Sequence, residues 1–289
     1  MVDRFSFKKG YRGRSVFRIF NVLFLLVVMA IMLIPFLKII ADSFDGATSY
    51  GLNFLPTQLT AGAYRTIVSN SDLYHPFLVS IVTTLIGTAI GLLLVTLGGY
   101  VVLHRDMPGN KFFTWMIFIT MVFNGGMIPT YLLMKDIHLL NTLWAVVLPL
   151  AINVYDLILM RSFFEGIPQS LMEASEIDGC TPIGTFIRIV LPLSLPALAS
   201  IGLFFMVEFW NTYMPFVLYI TQDNLFNFQV KLRDIILSGT DMNNAKLSGL
   251  SQKTLENACV VVSMLPPLIA YPFCQKYFVQ GVTLGAVKE

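Results

Sequence analysis

The sequence predicts an all-α membrane protein with six transmembrane helices, and three observations carry the prediction. Of its 289 residues 56% are hydrophobic and 12% charged, with a mean hydropathy of +0.72, whereas soluble domains carry about 25% charged residues. Six apolar runs each approach the length that crosses about 30 Å of hydrocarbon, where the backbone has to satisfy its own polar groups, as a helix does. The basic residues between the runs are unevenly shared. Arg4, Lys8, Lys9, Arg12, Arg14, Arg18, Arg105, Lys111, Arg161, Arg188, Lys276 and Lys288 fall on one side, against Arg65, Lys135, Lys231, Arg233, Lys246 and Lys253 on the other. The positive-inside rule then places both termini in the cytoplasm of a multi-pass plasma-membrane protein.

Taken in order, residues 1–15 are polar and basic and read as a cytoplasmic tail that fixes topology and can also meet anionic lipid. The first span, 16–41, is too long for a signal peptide and no small-residue cleavage site follows it. The other spans are expected at 76–103, 112–134, 143–164, 197–221 and 255–278, and residues 16–279 read as one domain of packed helices. Asn124-Gly125-Gly126 in the third span allows close packing or a kink, and Pro149, Pro266 and Pro267 mark bends. The outer segment 42–75 carries a short amphipathic piece near 61–69. With 222–254 it forms either a rim for an extracellular protein or ordinary solvated loop.

Composition excludes several functions. A net charge of +2 without clustering leaves no nucleic-acid footprint. Cys180, Cys259 and Cys274 have no paired spacing, and His75, His104 and His138 are isolated, so neither a disulfide set nor a metal site is expected. No nucleophile–base pair argues for an enzyme. No Walker A loop is present, so any use of ATP must come from a partner.

Charges inside spans are costly and face a bundle interior or a watery path. Asp156 and Glu208 are the two such residues, and Glu208 opens the run Glu208-Phe209-Trp210-Asn211-Thr212-Tyr213. That mixture of carboxylate, amide, hydroxyl and aromatic groups suits sugars, whose ring faces stack while their hydroxyls need partners. Asn124, Tyr131 and Asn257 are candidates to join it. The alternative is that these groups bond across helices and only hold the bundle together.

The stretch 165–196 is the long polar interruption of the second half. Ser170 with Glu173 gives a capping box that starts a first short helix, and Gly179 ends it. Thr181 caps a second helix with Pro182 at its first position, and Leu191-Pro192 ends that one. Two small amphipathic helices in a membrane-protein loop present either a docking surface for a cytoplasmic partner or a hairpin lying on lipid headgroups.

Glu173-Ala174-Ser175, Asp178-Gly179, Ile189, Leu191-Pro192 and Pro196 resemble the EAA loop of ABC-importer permeases, E-A-A, three residues, G, nine residues, I-x-L-P, with Ser for the second Ala. The end of the chain, Gly281-Val282-Thr283-Leu284-Gly285-Ala286-Val287-Lys288-Glu289, is similar to the G-x-T-x-G-x-V-K-G tail of the maltose-type carbohydrate-uptake subunits, with Glu in place of the last Gly. Residues 123–131 and Leu140-Asn141-Thr142 resemble the subgroup that handles complex-polysaccharide oligomers in Gram-positive bacteria.

The resemblance implies a type I ABC importer permease bundle that moves an oligosaccharide. It implies a second, different permease subunit forming a heterodimer, two copies of a cytoplasmic ATPase that bind ATP and Mg, and an extracellular substrate-binding lipoprotein. No cofactor is expected in this chain itself. Glu173, Ala174, Ser175, Asp178, Gly179, Leu191 and Pro192 would couple to the ATPase. Gly285, Val287 and Lys288, in a cytoplasmic tail 280–289, would reach between the ATPase subunits. Asn124, Tyr131, Asp156, Glu208, Trp210, Asn211, Tyr213 and Asn257 would line the substrate path. Permeases for other solutes (peptide, amino acid, phosphate) share the EAA loop, and a scaffold without a path of its own is the reading from another class.

Overall fold

The computed structural model describes residues 12–47, 54–104, 107–238 and 251–286. The fold is all-α: among the described residues the regular elements are helices, and pairing between extended segments is limited to a single bridge, Asp45 to Leu59. Contacts divide the chain into two compact units, Met1–Ile67 with Gly239–Val261, and Val68–Ser238 with Val262–Glu289.

In the first unit α1 (Arg12–Ser43) is apolar on all sides, with mean hydropathy 2.8, and its most apolar window contains no buried residue. A helix of that kind takes lipid or another chain as its environment. Beyond it Asp45 organises the outer segment. Its carboxylate accepts Thr57 Oγ1 at 2.8 Å, the Gln58 N–H at 3.0 Å and the Ala47 N–H at 3.2 Å. The Thr57 and Gln58 backbone N–H groups, donating to the charged form, lower its pKa from 3.8 to about 2 although the residue is buried. Ser43 Oγ meets the Tyr64 hydroxyl at 2.7 Å, and the Phe44 and Tyr64 rings lie 4.9 Å apart. Tyr64 belongs to α2 (Gly62–Ser69), the amphipathic piece expected here, which buries Ala63 and Ile67.

The second unit is built on α3 (Ser71–Leu103), whose 33 residues extend roughly 50 Å at 1.5 Å each. Asn70 Oδ1 caps its start, accepting the Asp72 N–H at 3.0 Å. Its glycines let α11 (Leu195–Asn211) come close: a Cβ at Gly87 would sit 2.5 Å from the Phe209 ring, and one at Gly91 2.8 Å from Phe205. Around this crossing Val95, Met160, Phe164, Val190, Ile201 and Phe205 form one core, and Val79, Met134, Val146, Phe216 and Ile220 form another.

Among the described residues three helices are long and apolar enough to cross a membrane, and there are up to six spans when each bent pair counts as one: Asn110–Val122 with Met127–Asp136, Trp144–Ala151 with Val154–Glu165, and Pro182–Leu193 with Leu195–Asn211. The third span is therefore not a single helix over 112–134. α4 (Asn110–Val122) and α5 (Met127–Asp136) meet at 119°. Gly126 adopts φ +88°, conformational space open to glycine, and Asn124 Oδ1 accepts its N–H at 2.9 Å. The fourth span is α6 (Trp144–Ala151) and α7 (Val154–Glu165), bent by 44°. Pro149 lies inside α6, and the break falls at Ile152-Asn153, where Asn153 Oδ1 caps α7 through the Asp156 N–H. The stretch 197–221, expected as one span, divides at Thr212-Tyr213 into α11 and α12 (Met214–Tyr219), and α13 (Phe228–Ser238) follows. The last helix, α14 (Gln252–Ala286), runs as one helix through Pro266, Pro267 and Pro272. Gly285 of the expected tail is thus helical, while Val287 and Lys288 lie outside the described residues.

Candidate functional site

The loop 165–196 folds as two short helices held together from within. α8 (Gln169–Ile177) starts one residue earlier than the capping box implies. Pro168 is its cap, with the Leu171 N–H bonding the Pro168 carbonyl at 3.1 Å, and no side chain caps it, so the Ser170–Glu173 box is not formed. At the far end Gly179 takes φ +77°. The Cys180 N–H reaches the Ser175 carbonyl at 2.9 Å and the Gly179 N–H the Glu176 carbonyl at 3.0 Å, the paired bonds of a Schellman turn.

Thr181 Oγ1 then accepts the Gly184 N–H at 3.1 Å, capping α9 (Pro182–Thr185) as its sequence predicts. Leu191-Pro192 does not end this helix. A π-helical turn, Phe186–Val190, carries the chain into α10 (Leu191–Leu193), and the direction changes by 78° at buried Ser194 before α11.

Ser175 Oγ lies 2.8 Å from Thr185 Oγ1, both residues buried, and also donates to the Met172 carbonyl at 2.7 Å. This hydroxyl pair clasps α8 to α9. Ser175 is therefore an internal fastener, whereas Glu173, Ala174, Asp178 and Gly179 are exposed. The turn is flanked by two large apolar side chains open to the surroundings, Ile177 at 87% and Ile183 at 71% exposure. At the base Arg161 Nη2 bonds Glu165 Oε1 at 3.0 Å, four residues on. The Tyr100 hydroxyl, at the end of α3, donates to the Pro182 carbonyl at 3.0 Å. Neither the clasp nor Tyr100 is visible as a signal in the sequence, because hydroxyl residues and a lone Tyr in apolar surroundings carry no periodic mark.

The polar residues of the spans separate into several settings. Asp156 is buried in the first turn of α7, and Glu208 on α11 lies near enough to it and to Asn153 for the polar side chains to interact. These three form a polar knot at the break in the fourth span. Trp210 is 2% exposed, donates its indole N–H to the Ser263 carbonyl at 2.8 Å and meets Phe77 edge-on at 5.5 Å. It sits as a packing residue. Asn211 is exposed and bonds the Val207 carbonyl at 2.8 Å. Tyr131 stacks on Tyr219 with centroids 6.4 Å apart. Asn124 serves the bend before α5. Asn257 belongs to the first unit, beside Asp42, Asp45 and Thr254.

Tyr213 opens onto a cavity of about 810 Å³ at the α3 end opposite the loop, and its ring lies 4.5 Å beneath the Arg233 guanidinium. His75, Asp223, Lys231 and Asp234 also line it. The sequence reading uses Lys231 and Arg233 only to count topology; their nearness to Tyr213 depends on the fold of α13 against α3.

Residues 112–283 match the family described as "Binding-protein-dependent transport system inner membrane component". The chain is 42% identical over 282 residues to the polygalacturonan/rhamnogalacturonan transport system permease protein YtcP of Bacillus subtilis, which covers 94% of this chain and 99% of that one. Protein LplC of the same organism is 37% identical, with 96% of each chain covered. The arabinooligosaccharides transport system permease protein AraQ of Halalkalibacterium halodurans is 29% identical over 89% of this chain and 92% of that one. Among solved structures, a crystal structure of a bacterial ABC transporter involved in the import of the acidic polysaccharide alginate superposes with a TM-score of 0.87 at 28% identity, covering 95% of this chain and 100% of that chain.

Proposed function

Because the chain belongs to the family of binding-protein-dependent transport system inner membrane components, we propose that it is a permease subunit of an ATP-driven oligosaccharide importer and forms half of the translocation path. The substrate class is supported by the relatives, two of which are named for polygalacturonan/rhamnogalacturonan and arabinooligosaccharide transport. A second, different permease subunit would complete the path. A dimer of a cytoplasmic ATPase would bind ATP and Mg, and an extracellular lipoprotein would deliver the sugar. Both termini lie in the cytoplasm in this reading, supported by the distribution of Arg and Lys.

The observation that carries the coupling role is the shape of the loop. Its two helices are fastened to each other by Ser175 and Thr185, while Ile177, Gly179 and Ile183 form an exposed apex. A loop that is stiff inside and apolar outside suits insertion into a groove, where each buried Ile contributes about 1.5–3 kcal/mol. Glu173, Ala174, Asp178 and Gly179 would contact the ATPase, with Leu191 and Pro192 at the return to α11. Gly285, Val287 and Lys288 would reach between the ATPase subunits.

The sugar path would pass the Asp156–Asn153–Glu208 knot, with Asn211 and Tyr213 above it. Trp210 would fix the backbone that presents them, and Asn124 and Tyr131 would contribute from the third span. Carboxylates and amides in a low-dielectric setting accept sugar hydroxyls strongly.

The test is to purify the tagged chain from gently solubilised native membranes and identify its companions by mass spectrometry. A second permease, an ATPase and a sugar-binding lipoprotein together are expected. Recovery without any ATPase would overturn the coupling role, and a binding protein for peptides or amino acids would move the substrate to another class.

A further inference from the structure

We propose that Tyr100 is a positioning residue that ties α3 to the coupling loop, so that a displaced loop carries α3 with it. The proposal rests on the coupling reading above and adds a lateral route to it. Along the chain the loop is joined only to α7 and α11. Tyr100 makes a third join from a helix 82 positions away in sequence, through its hydroxyl on the Pro182 carbonyl at 3.0 Å. Its ring is wedged between the two ends of the loop, 4.8 Å from Phe186 at the π-helical turn and 6.4 Å edge-on from Phe164 at the end of α7. The residue is 9% exposed, so a broken bond would leave a phenol hydroxyl without water to replace its partner.

The tie holds both loop helices, because Pro182 opens α9 and α9 is clasped to α8 by Thr185 and Ser175. From Tyr100 the motion passes along α3 to Gly87 and Gly91, where Phe209 and Phe205 of α11 leave no space for a Cβ. It then reaches Ser80, whose Oγ accepts the Phe228 N–H at 2.9 Å at the start of α13. α13 carries Arg233 and Lys231 of the cavity at the opposite end. Packed interiors transmit displacement instead of absorbing it, so α3 works as a rod from loop to outer mouth.

The experiment uses the whole complex in proteoliposomes with Tyr100→Phe, which keeps the ring and removes the hydroxyl. Uptake of labelled galacturonan oligomers per ATP hydrolysed is measured, together with the separation of spin labels at Ile187→Cys and Val101→Cys, both exposed and outside the docking apex, in a background lacking Cys180, Cys259 and Cys274. In the parent protein the label separation should stay the same with and without ATP. In Tyr100→Phe it should change with nucleotide, and the uptake ratio should fall about fivefold, the effect of one net hydrogen bond. Phe186→Leu, which removes the ring contact instead, should shift the same two readouts should Tyr100→Phe not assemble. An unchanged ratio, or a lowered ratio with a label separation that stays fixed, overturns the tie. Gly179→Asp run alongside separates the two ideas: normal uptake there means the coupling reading itself has failed.

Discussion

Alanine at Gly179 should weaken coupling through the backbone alone. Gly179 holds φ +77° at the apex of the loop, and a Cβ built there meets no heavy atom within 4 Å. Steric repulsion within the chain therefore adds nothing. The cost is that of keeping an L residue left-handed, about 1–2 kcal/mol, which lowers the population of the docking turn roughly 5- to 30-fold. Asn tolerates this conformation better than Ala, so Gly179→Asn should recover a large part of the loss. Gly179→Asp should fall below Asn, since it sets a charge between Ile177 and Ile183 on a surface that docking desolvates. The assay is sugar uptake and ATP hydrolysis by the reconstituted complex, with recovery of the partners as a check on assembly. Wild-type uptake by Gly179→Ala, or an Asn variant no better than Ala, would refute the argument from the turn.

Gly87→Val places its Cβ 2.5 Å from the Phe209 ring and should destabilise the protein by about 1–3 kcal/mol, read as a lower melting temperature of the purified complex and partly reversed by Phe209→Leu. Asp45 titrates at about 2 instead of 3.8, so its stabilisation of the outer segment is complete above the higher value and is lost as pH falls towards the lower one. Pepsin cleavage around Phe54–Leu59 should rise over that interval in the wild type and should already be high, with little further pH dependence, in Asp45→Asn. Glu208→Ala should reduce uptake while the partners still co-purify, whereas loss of the partners would make Glu208 a structural residue. Trp210→Phe should cost about 1 kcal/mol of stability by removing the bond to the Ser263 carbonyl.

The features legible in the sequence are those set by local chemistry or long periodicity. Thr181-Pro182 announces its cap, Gly179 its left-handed turn, and the apolar runs announce the spans. Asn124-Gly125-Gly126 signals a kink, but its 119° depends on the backbone conformation of Gly126, which the residue type permits without specifying. The capping box misleads because the helix already begins at Gln169, which puts Ser170 inside the first turn instead of at the cap position. Pro266 and Pro267 mislead because the last helix runs on through both, whereas Pro149 stands in a span that does bend, by 44° at Ile152-Asn153, where Asn153 caps a fresh helix. The contacts that join distant segments, Ser175 with Thr185, Tyr100 with Pro182 and Ser80 with Phe228, have no local signature at all. Each is one hydroxyl in an apolar setting until the fold supplies its partner.

The π-helical turn at Phe186–Val190 gives the loop a property that length alone does not describe. Its Leu191 N–H reaches back five residues to the Phe186 carbonyl, so the turn holds one residue more than an α-helical one. In an α-helix one residue corresponds to about 100° of rotation. Removing a residue within Phe186–Val190 would let the turn relax to regular geometry with the apex kept nearly in phase with α11, whereas adding one that the turn does not take up would rotate the apex by that angle and aim Ile177 and Ile183 elsewhere. The fixed spacing of that stretch is then a condition on phase: the loop and the helix it drives are keyed to one another like the two ends of a crankshaft.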